Sequence, residues 1–246
     1  MKLLRLGNSN DTTESVPEEL KSSAVANAIL EAASGEPVEL VTRMMWPSEQ
    51  IPGLVEKWLR EYEPDLVLVV INAFWFTYES VPAKLKRRLG PMGRSASRAG
   101  IRLGEVEMFA RNRAWQAARR QLVRTVGGDP HFTPAQVAER MDAVLRVVLA
   151  HEHMGVALRG SMTSFDMAIG GAPARRSEAR FVDVSRRLSE VCTRLHVPYS
   201  GQDVPQATEL QGDSIHATAQ THRRRGEIEG ELLVRAWSQV REGVSG

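Results

Sequence analysis

The sequence predicts an α/β fold: a central parallel sheet of about five strands between layers of helices. Three observations predict it. Strand and helix signals alternate along the 246 residues, the order that builds parallel sheets through helical crossovers. The strand signals are short apolar runs. Chief among them is DLVLVVINAF, whose unbroken Leu and Val stretch suits a strand covered on both faces. The helix signals are longer, amphipathic and punctuated by capping residues.

In chain order, residues 1–6 read as a short strand with Leu3, Leu4 and Leu6 inside, closed by turn-forming Gly7 and Asn8. VPEELKSSAVANAILEAASG reads as a helix, with Pro17 in its first turn, Glu18 and Glu19 at its positive end and Gly35 as its stop. PVELVTRM is a second strand. IPGLVEKWLREYEP is a helix with Leu54, Trp58 and Leu59 on one face, ending before Pro64. DLVLVVINAF is the third strand. HFTPAQVAERMDAVLRVVLAHEHMG is a helix with Thr133 as N-cap, Pro134 at its first position and Gln136 completing a capping box. GVALRGSM, then RSEARFVDVSRRLSEVCTRLHV, then VPYSG add a strand, a helix and a short strand. A final helix spans HATAQTHRRRGEIEGELLVRAWSQVRE.

The chain is long enough for one large domain spanning 1–246, with a full core. Residues 84–130 break the short alternation and read as an arginine-rich helical insertion. It suits a lid or an oligomer contact, with Met108, Phe109 and Trp115 facing inward; a homo-oligomer is compatible with it.

Composition narrows the function. A net charge of +2, with acids interspersed among the arginines, gives no general pull toward nucleic acid. Arg223, Arg224 and Arg225 are followed closely by Glu227, Glu229 and Glu231, and read as a charged helix surface. The single cysteine, Cys192, excludes an internal disulfide; it reads as a small buried apolar residue in a reducing compartment. No run approaches the ~20 apolar residues of a membrane span, and no signal peptide opens the chain. The expectation is a cytoplasmic protein with no membrane span. His151 and His153 are two apart, so a helix would turn them to different faces and they do not make a zinc pair. No Gly-rich phosphate loop precedes a Lys-Ser/Thr pair. No cofactor is expected.

Three stretches carry chemistry: GNSN at 7–10, INAF at 71–74 and GDSIHATAQTH at 212–222. Each falls beyond a predicted strand, and in a parallel sheet those ends meet along one edge, where open α/β folds bind ligands. Ser9 offers a hydroxyl nucleophile and His216 a base. Asp213, three residues earlier, is close enough in a turn to orient the imidazole. That is the logic of acyl transfer. Asn72 offers a side-chain amide for an oxyanion. Trp46, Phe74, Trp75 and Phe76 are either core or an apolar wall for an acyl group or sugar ring. His222, six residues past His216, reads as a packing or capping residue.

These stretches resemble the SGNH (GDSL-like) esterases and lipases over most of the chain. Gly7-Asn8-Ser9 resembles the family's Gly-Asp-Ser block, PDLVLVVIN its Gly-x-Asn-Asp block with Asn72 aligned, and DSIHATAQTH its Asp-x-x-His block. The resemblance implies a flavodoxin-like three-layer αβα sandwich. It implies a triad of Ser9, Asp213 and His216, and an oxyanion hole formed by the Ser9 N–H, Asn72 and one further donor. Asn8 replaces the family's Asp, and Val70 and Ala73 replace Gly and Asp. The loop RMMWPSEQIPG has no glycine where the second block supplies one; Pro47 has no N–H, so Ser48 is the nearest donor. The implied function is metal-free cleavage of a small-molecule carboxylic ester through a Ser9 acyl-enzyme. An acyltransferase would use the same triad. A binding module that has lost catalysis is the rival reading, on the strength of Val70, Ala73 and the missing glycine.

Overall fold

The computed structural model describes residues 1–7, 11, 14–79, 81, 84, 121, 125, 127–162, 171–211 and 216–244. Five parallel strands form one sheet: β1 (Lys2–Gly7), β2 (Glu39–Met44), β3 (Leu66–Val70), β4 (Gly155–Arg159) and β5 (Tyr199–Ser200), in the order β2-β1-β3-β4-β5. Among the described residues five α-helices flank it: α1 (Ser22–Ser34), α2 (Ile51–Tyr62), α3 (Pro134–Leu149), α4 (Gly171–Arg194) and α5 (Ala219–Val244). The expected αβα sandwich is present.

Alternation along the strands splits the core into two layers. Leu4, Leu6, Val67, Val69, Val156 and Leu158 face α2, α3 and α4, where Val55, Leu59, Val144, Leu145 and Leu188 meet them. Leu3, Leu66, Leu68, Val70 and Ala157 face α1 and α5, against Leu30, Leu232, Leu233 and Ala236. Each fully buried side chain of this kind contributes about 1.5–3 kcal/mol. Strands covered on both faces explain why the sequence shows unbroken apolar runs.

The helices α1 and α5 pack backbone to side chain. A Cβ on Gly226 would lie 2.4 Å from Val25 Cβ, and one on Gly230 2.8 Å from Ile29, so both positions need glycine for the approach. The predicted capping box forms in full at α3: Thr133 Oγ1 accepts from the Gln136 N–H, and Gln136 Oε1 accepts from the Thr133 N–H. Gly35 ends α1 in the left-handed conformation, at φ +74°.

Some elements differ from their predicted bounds. A short 3-10 turn at Glu18–Leu20 precedes α1, which therefore begins at Ser22, and α4 begins at Gly171, earlier than the sequence pattern suggests. A larger difference concerns α5. Arg225 and Glu229, read as part of a charged surface, are buried at 3% and 0% exposure. They fall on the same stripe as His222, Leu232 and Ala236, which faces the sheet. Arg223, by contrast, is exposed and pairs with Glu227. Cys192 is buried as expected, and burial pushes its thiol pKa up to about 12. Most of the 84–130 stretch, with Met108, Phe109 and Trp115, lies outside the described residues. Among the described residues no helix is long and apolar enough to cross a membrane.

Candidate functional site

The carboxyl ends of β1 and β3 and the segment leading into α5 carry the candidate residues. Asn72 stands two residues past β3 and caps a 3-10 turn at Ala73–Trp75, its Oδ1 accepting from the Phe74 N–H at 3.0 Å. That bond fixes the carboxamide and turns its NH2 group, the donating end, away from the turn. The turn is itself braced. Thr77 Oγ1 donates to the Ala73 carbonyl at 2.9 Å, and Ser177 Oγ on α4 donates to the Thr77 carbonyl at 2.7 Å. Glu79 accepts from Arg176 Nε and NH2, both at 2.8 Å, and from Arg180. Burial raises the Glu79 pKa, but Arg176 and Arg180 outweigh it and hold the carboxylate below its usual range.

The four aromatic residues divide. Trp75 and Phe76 are fully buried in the core, while Trp46 and Phe74 are 65% and 38% exposed. Phe74 lies 5.1 Å from the Tyr78 ring and 5.0 Å from the His131 ring. An aromatic cluster, with Phe74 exposed and Tyr78 and His131 half-buried, therefore stands beside Asn72 in the chain. Ser48 uses its hydroxyl to accept from the Gln50 N–H at 3.1 Å, in the turn before α2.

Ser9 and Asp213 lie outside the described residues; their flanks are described, and they are tied together. Arg5, four residues before Ser9 in the sequence, points to the α5 side of the sheet. Its Nε donates to Asp11 Oδ1 at 2.8 Å, NH1 to Glu229 Oε2 at 2.6 Å, and NH2 to Glu229 Oε1 at 3.1 Å and Ser22 Oγ at 3.2 Å. Asp11 folds back so closely that a Cβ on Gly7 would lie 1.9 Å from its Oδ2. A side chain at Gly7 would therefore displace the Asp11 carboxylate from its place beside Arg5. Burial opposes the Arg5 charge, but Asp11 and Glu229 outweigh it and raise its pKa.

His216 is half-buried and is held by a small clamp. Its carbonyl accepts from the Gln211 N–H at 2.8 Å, Gln211 Nε2 donates to the Ala217 carbonyl at 2.7 Å, and the Thr218 N–H donates to the Glu209 carbonyl at 3.1 Å. Ser15 Oγ, six residues past Ser9, donates to Gln211 Oε1 at 2.8 Å. The stretch past Ser9 is therefore joined to the stretch before Asp213 through Ser15–Gln211, and β1 is joined to α5 through Arg5–Glu229. His222 does cap a helix, though not its own. Its Nδ1 accepts from the Ser22 N–H at 3.2 Å, at the start of α1. Burial, then the Arg225 charge, push its pKa down to about 4.

The charged cluster under the site was not found from the sequence. Two signals were present: a lone arginine inside the apolar run LLRL, and the 222-225-229-232-236 spacing of α5.

No protein-family model and no curated protein matches this sequence. Solved structures resemble it along nearly its whole length. A structure of TesA superposes with a TM-score of 0.54 at 15% identity, covering 95% of this chain and 98% of the other. The psychrotrophic esterase EstA from Pseudoalteromonas sp., in a form inhibited by monoethylphosphonate, gives 0.53 at 11%, covering 97% and 98%. A protein described as a GDSL-like lipase, from Parabacteroides merdae ATCC 43184, gives 0.53 at 9%, covering 94% of each chain. The fold is that of the SGNH hydrolases. At these identities the likeness is one of architecture, and the reading of the candidate site rests on its own residues.

Proposed function

We propose that this chain is a serine ester hydrolase of the SGNH type, cleaving a small-molecule carboxylic ester through a Ser9 acyl-enzyme. His216 takes the Ser9 hydroxyl proton as the oxygen attacks the ester carbonyl. Asp213 orients the imidazole and stabilises its protonated form. The tetrahedral oxyanion accepts from the Asn72 amide and the Ser9 N–H, with the Ser48 N–H as third donor. Collapse breaks the ester C–O bond, and His216 returns its proton to the departing alcohol. Water then attacks the acyl-enzyme, with His216 again as base, and releases the carboxylic acid. Ester and water are the only reactants consumed.

The observation that carries this reading is the joining of the stretch past Ser9 to the His216 segment through Ser15 and Gln211, with β1 tied to α5 through Arg5 and Glu229. The fixed carboxamide of Asn72 on the same edge adds to it, as does a fold shared with esterases. The exposed Phe74 and Trp46 suit the wall of an acyl or sugar pocket. The rival reading, a binding module without catalysis, draws on Val70 and Ala73, which stand where the family has Gly and Asp, and on the missing second-block glycine. Both residues are buried, and Ala73 offers no polar group in place of the Asp.

A fluorophosphonate probe decides between the two. Labelling of the folded protein at neutral pH that disappears in Ser9→Ala supports the hydrolase. Absence of labelling supports the binding module. Given activity, Asn72→Ala is expected to lower kcat by roughly 10²–10³ with KM little changed, because the donor meets full charge only in the transition state. Ser48→Ala, which keeps its N–H, is expected to do little, whereas Ser48→Pro removes the donor.

A further inference from the structure

A cavity of about 310 Å³ opens beside the carboxyl ends of β4 and β5, under the first turns of α5. Its walls include Arg159, Ser200, Gln202, Asp203, Arg225 and Ile228. We propose that this cavity binds a small organic or inorganic oxyanion, its carboxylate or phosphate group held between Arg159, Arg225 and Gln202. The site stands on these residues and does not depend on the ester-hydrolase reading.

Charge is the first argument. Arg159, Arg224 and Arg225 line the cavity against one carboxylate, Asp203. Among the described residues the acids nearby are already paired. Asp203 Oδ2 accepts from both Arg224 NH2 at 2.9 Å and Arg225 NH2 at 3.1 Å. Glu229 faces both Arg5 and Arg159, the latter at 2.6 Å. The remaining acids of the cluster are spent elsewhere, Asp11 on Arg5 and Glu209 on Arg224. A guanidinium has five N–H donors, so these pairs leave donors over. Arg159 and Arg225 are only 6% and 3% exposed. Burial, then the neighbouring Arg159 charge, push the Arg225 pKa down to about 10, against the pull of Asp203 and Glu229.

Hydrogen-bonding capacity is the second argument. Arg225 Nε, Ser200 Oγ and both polar atoms of Gln202 are buried without a protein partner. A buried polar group left unmatched costs about 1–3 kcal/mol, and four such atoms belong to residues of one cavity wall. Arginine offers a planar fork suited to carboxylate or phosphate, and the Gln202 amide adds a donor and an acceptor for a neighbouring hydroxyl. The wall is rigid where Gly160 lies against Gly201: a Cβ on Gly160 would come within 2.3 Å of the Gly201 carbonyl oxygen. The volume is at the small end of ligand pockets, which fits a compact anion.

Calorimetric titration with citrate and with inorganic phosphate, at neutral pH and low salt, tests the site. At least one is expected to bind with a Kd below about 1 mM, and which of them binds separates carboxylate from phosphate recognition. Arg225→Gln is expected to weaken binding about 10- to 100-fold. Ile228→Trp fills the cavity rim without removing a charge and is expected to weaken it comparably, so a folding defect in Arg225→Gln does not decide the outcome. Failure of both anions to bind the wild-type protein, or binding unchanged in Ile228→Trp, overturns the proposal.

Discussion

The two faces of the sheet are built from different materials. Toward α2, α3 and α4 the strands present Leu4, Leu6, Val67, Val69, Val156 and Leu158, and the helices answer with hydrocarbon. Toward α1 and α5 the same alternation starts with Leu3, Leu66 and Leu68 but ends, near the carboxyl edge, in Arg5 and Arg159. There α5 answers with His222, Arg225 and Glu229. Hydrocarbon packing is non-directional and tolerates repacking. A buried carboxylate between two guanidiniums is satisfied in very few arrangements. The first face supplies stability; the second fixes where α5, and the His216 segment before it, sits relative to β1.

The largest expected effect is on the charged face. Glu229→Ala leaves Arg5 and Arg159 facing each other in the interior and is expected to cost about 3–5 kcal/mol in urea unfolding. The triple variant Arg5→Met, Arg159→Met, Glu229→Leu is expected to recover most of that stability, since hydrophobic replacement of a whole buried cluster is often neutral. A single-variant cost below about 1 kcal/mol, the range of exposed pairs, would break the contrast between the faces. On the apolar face, Leu145→Ala is expected to cost about 2–5 kcal/mol through lost burial and a cavity.

Acid separates the faces next. His222 must be neutral to accept from Ser22, while in the unfolded chain it takes a proton near pH 6.5. The unfolded state therefore binds the proton first. The contribution of His222 is complete above pH 6.5 and is lost as pH falls toward about 4, where the folded form protonates as well. Stability measured across that window is expected to fall in the wild-type protein and in Leu145→Ala, and to flatten in His222→Gln. An unchanged slope in His222→Gln would assign the effect to other groups. The smallest effect is expected at the start of α3, where Thr133→Ala removes one half of the capping box and costs about 1 kcal/mol.

Most of the architecture was legible because it rests on local patterns. The apolar runs of β1, β3 and β4 report strands covered on both sides, and Thr133-Pro134 with Gln136 reports a helix start. Bounds slipped where tertiary context decides, as with the 3-10 turn that delays α1 to Ser22. In the candidate site, Asn72 and His216 were proposed from their place after strands; Asn72 caps a 3-10 turn and His216 is half-buried. Arg5, Glu229 and Arg225 were missed for a physical reason. Charged residues are buried only when paired, and Arg5 and Glu229 are 224 positions apart, beyond any local pattern. The cavity beside Gln202 was missed for the same reason, since its walls come from β4, β5 and α5.

The Arg5–Glu229 pair joins the first strand to the last helix, and this sets a constraint on synthesis. A ribosome that has made β1 through β5 has delivered every strand of the sheet, yet Leu3, Leu66, Leu68 and Val70 still lack the α5 side chains that cover them, and Arg5 still lacks Glu229. The nascent chain therefore carries an uncovered apolar face, and an Arg5 paired only with Asp11, until α5 emerges. Such a species is exposed to aggregation, and closure waits on a contact of very long sequence separation, the kind that slows folding. Completion of the Ser9 and His216 flanks coincides with that closure, so an early-released chain lacking α5 would be unfinished at its core and at its site together.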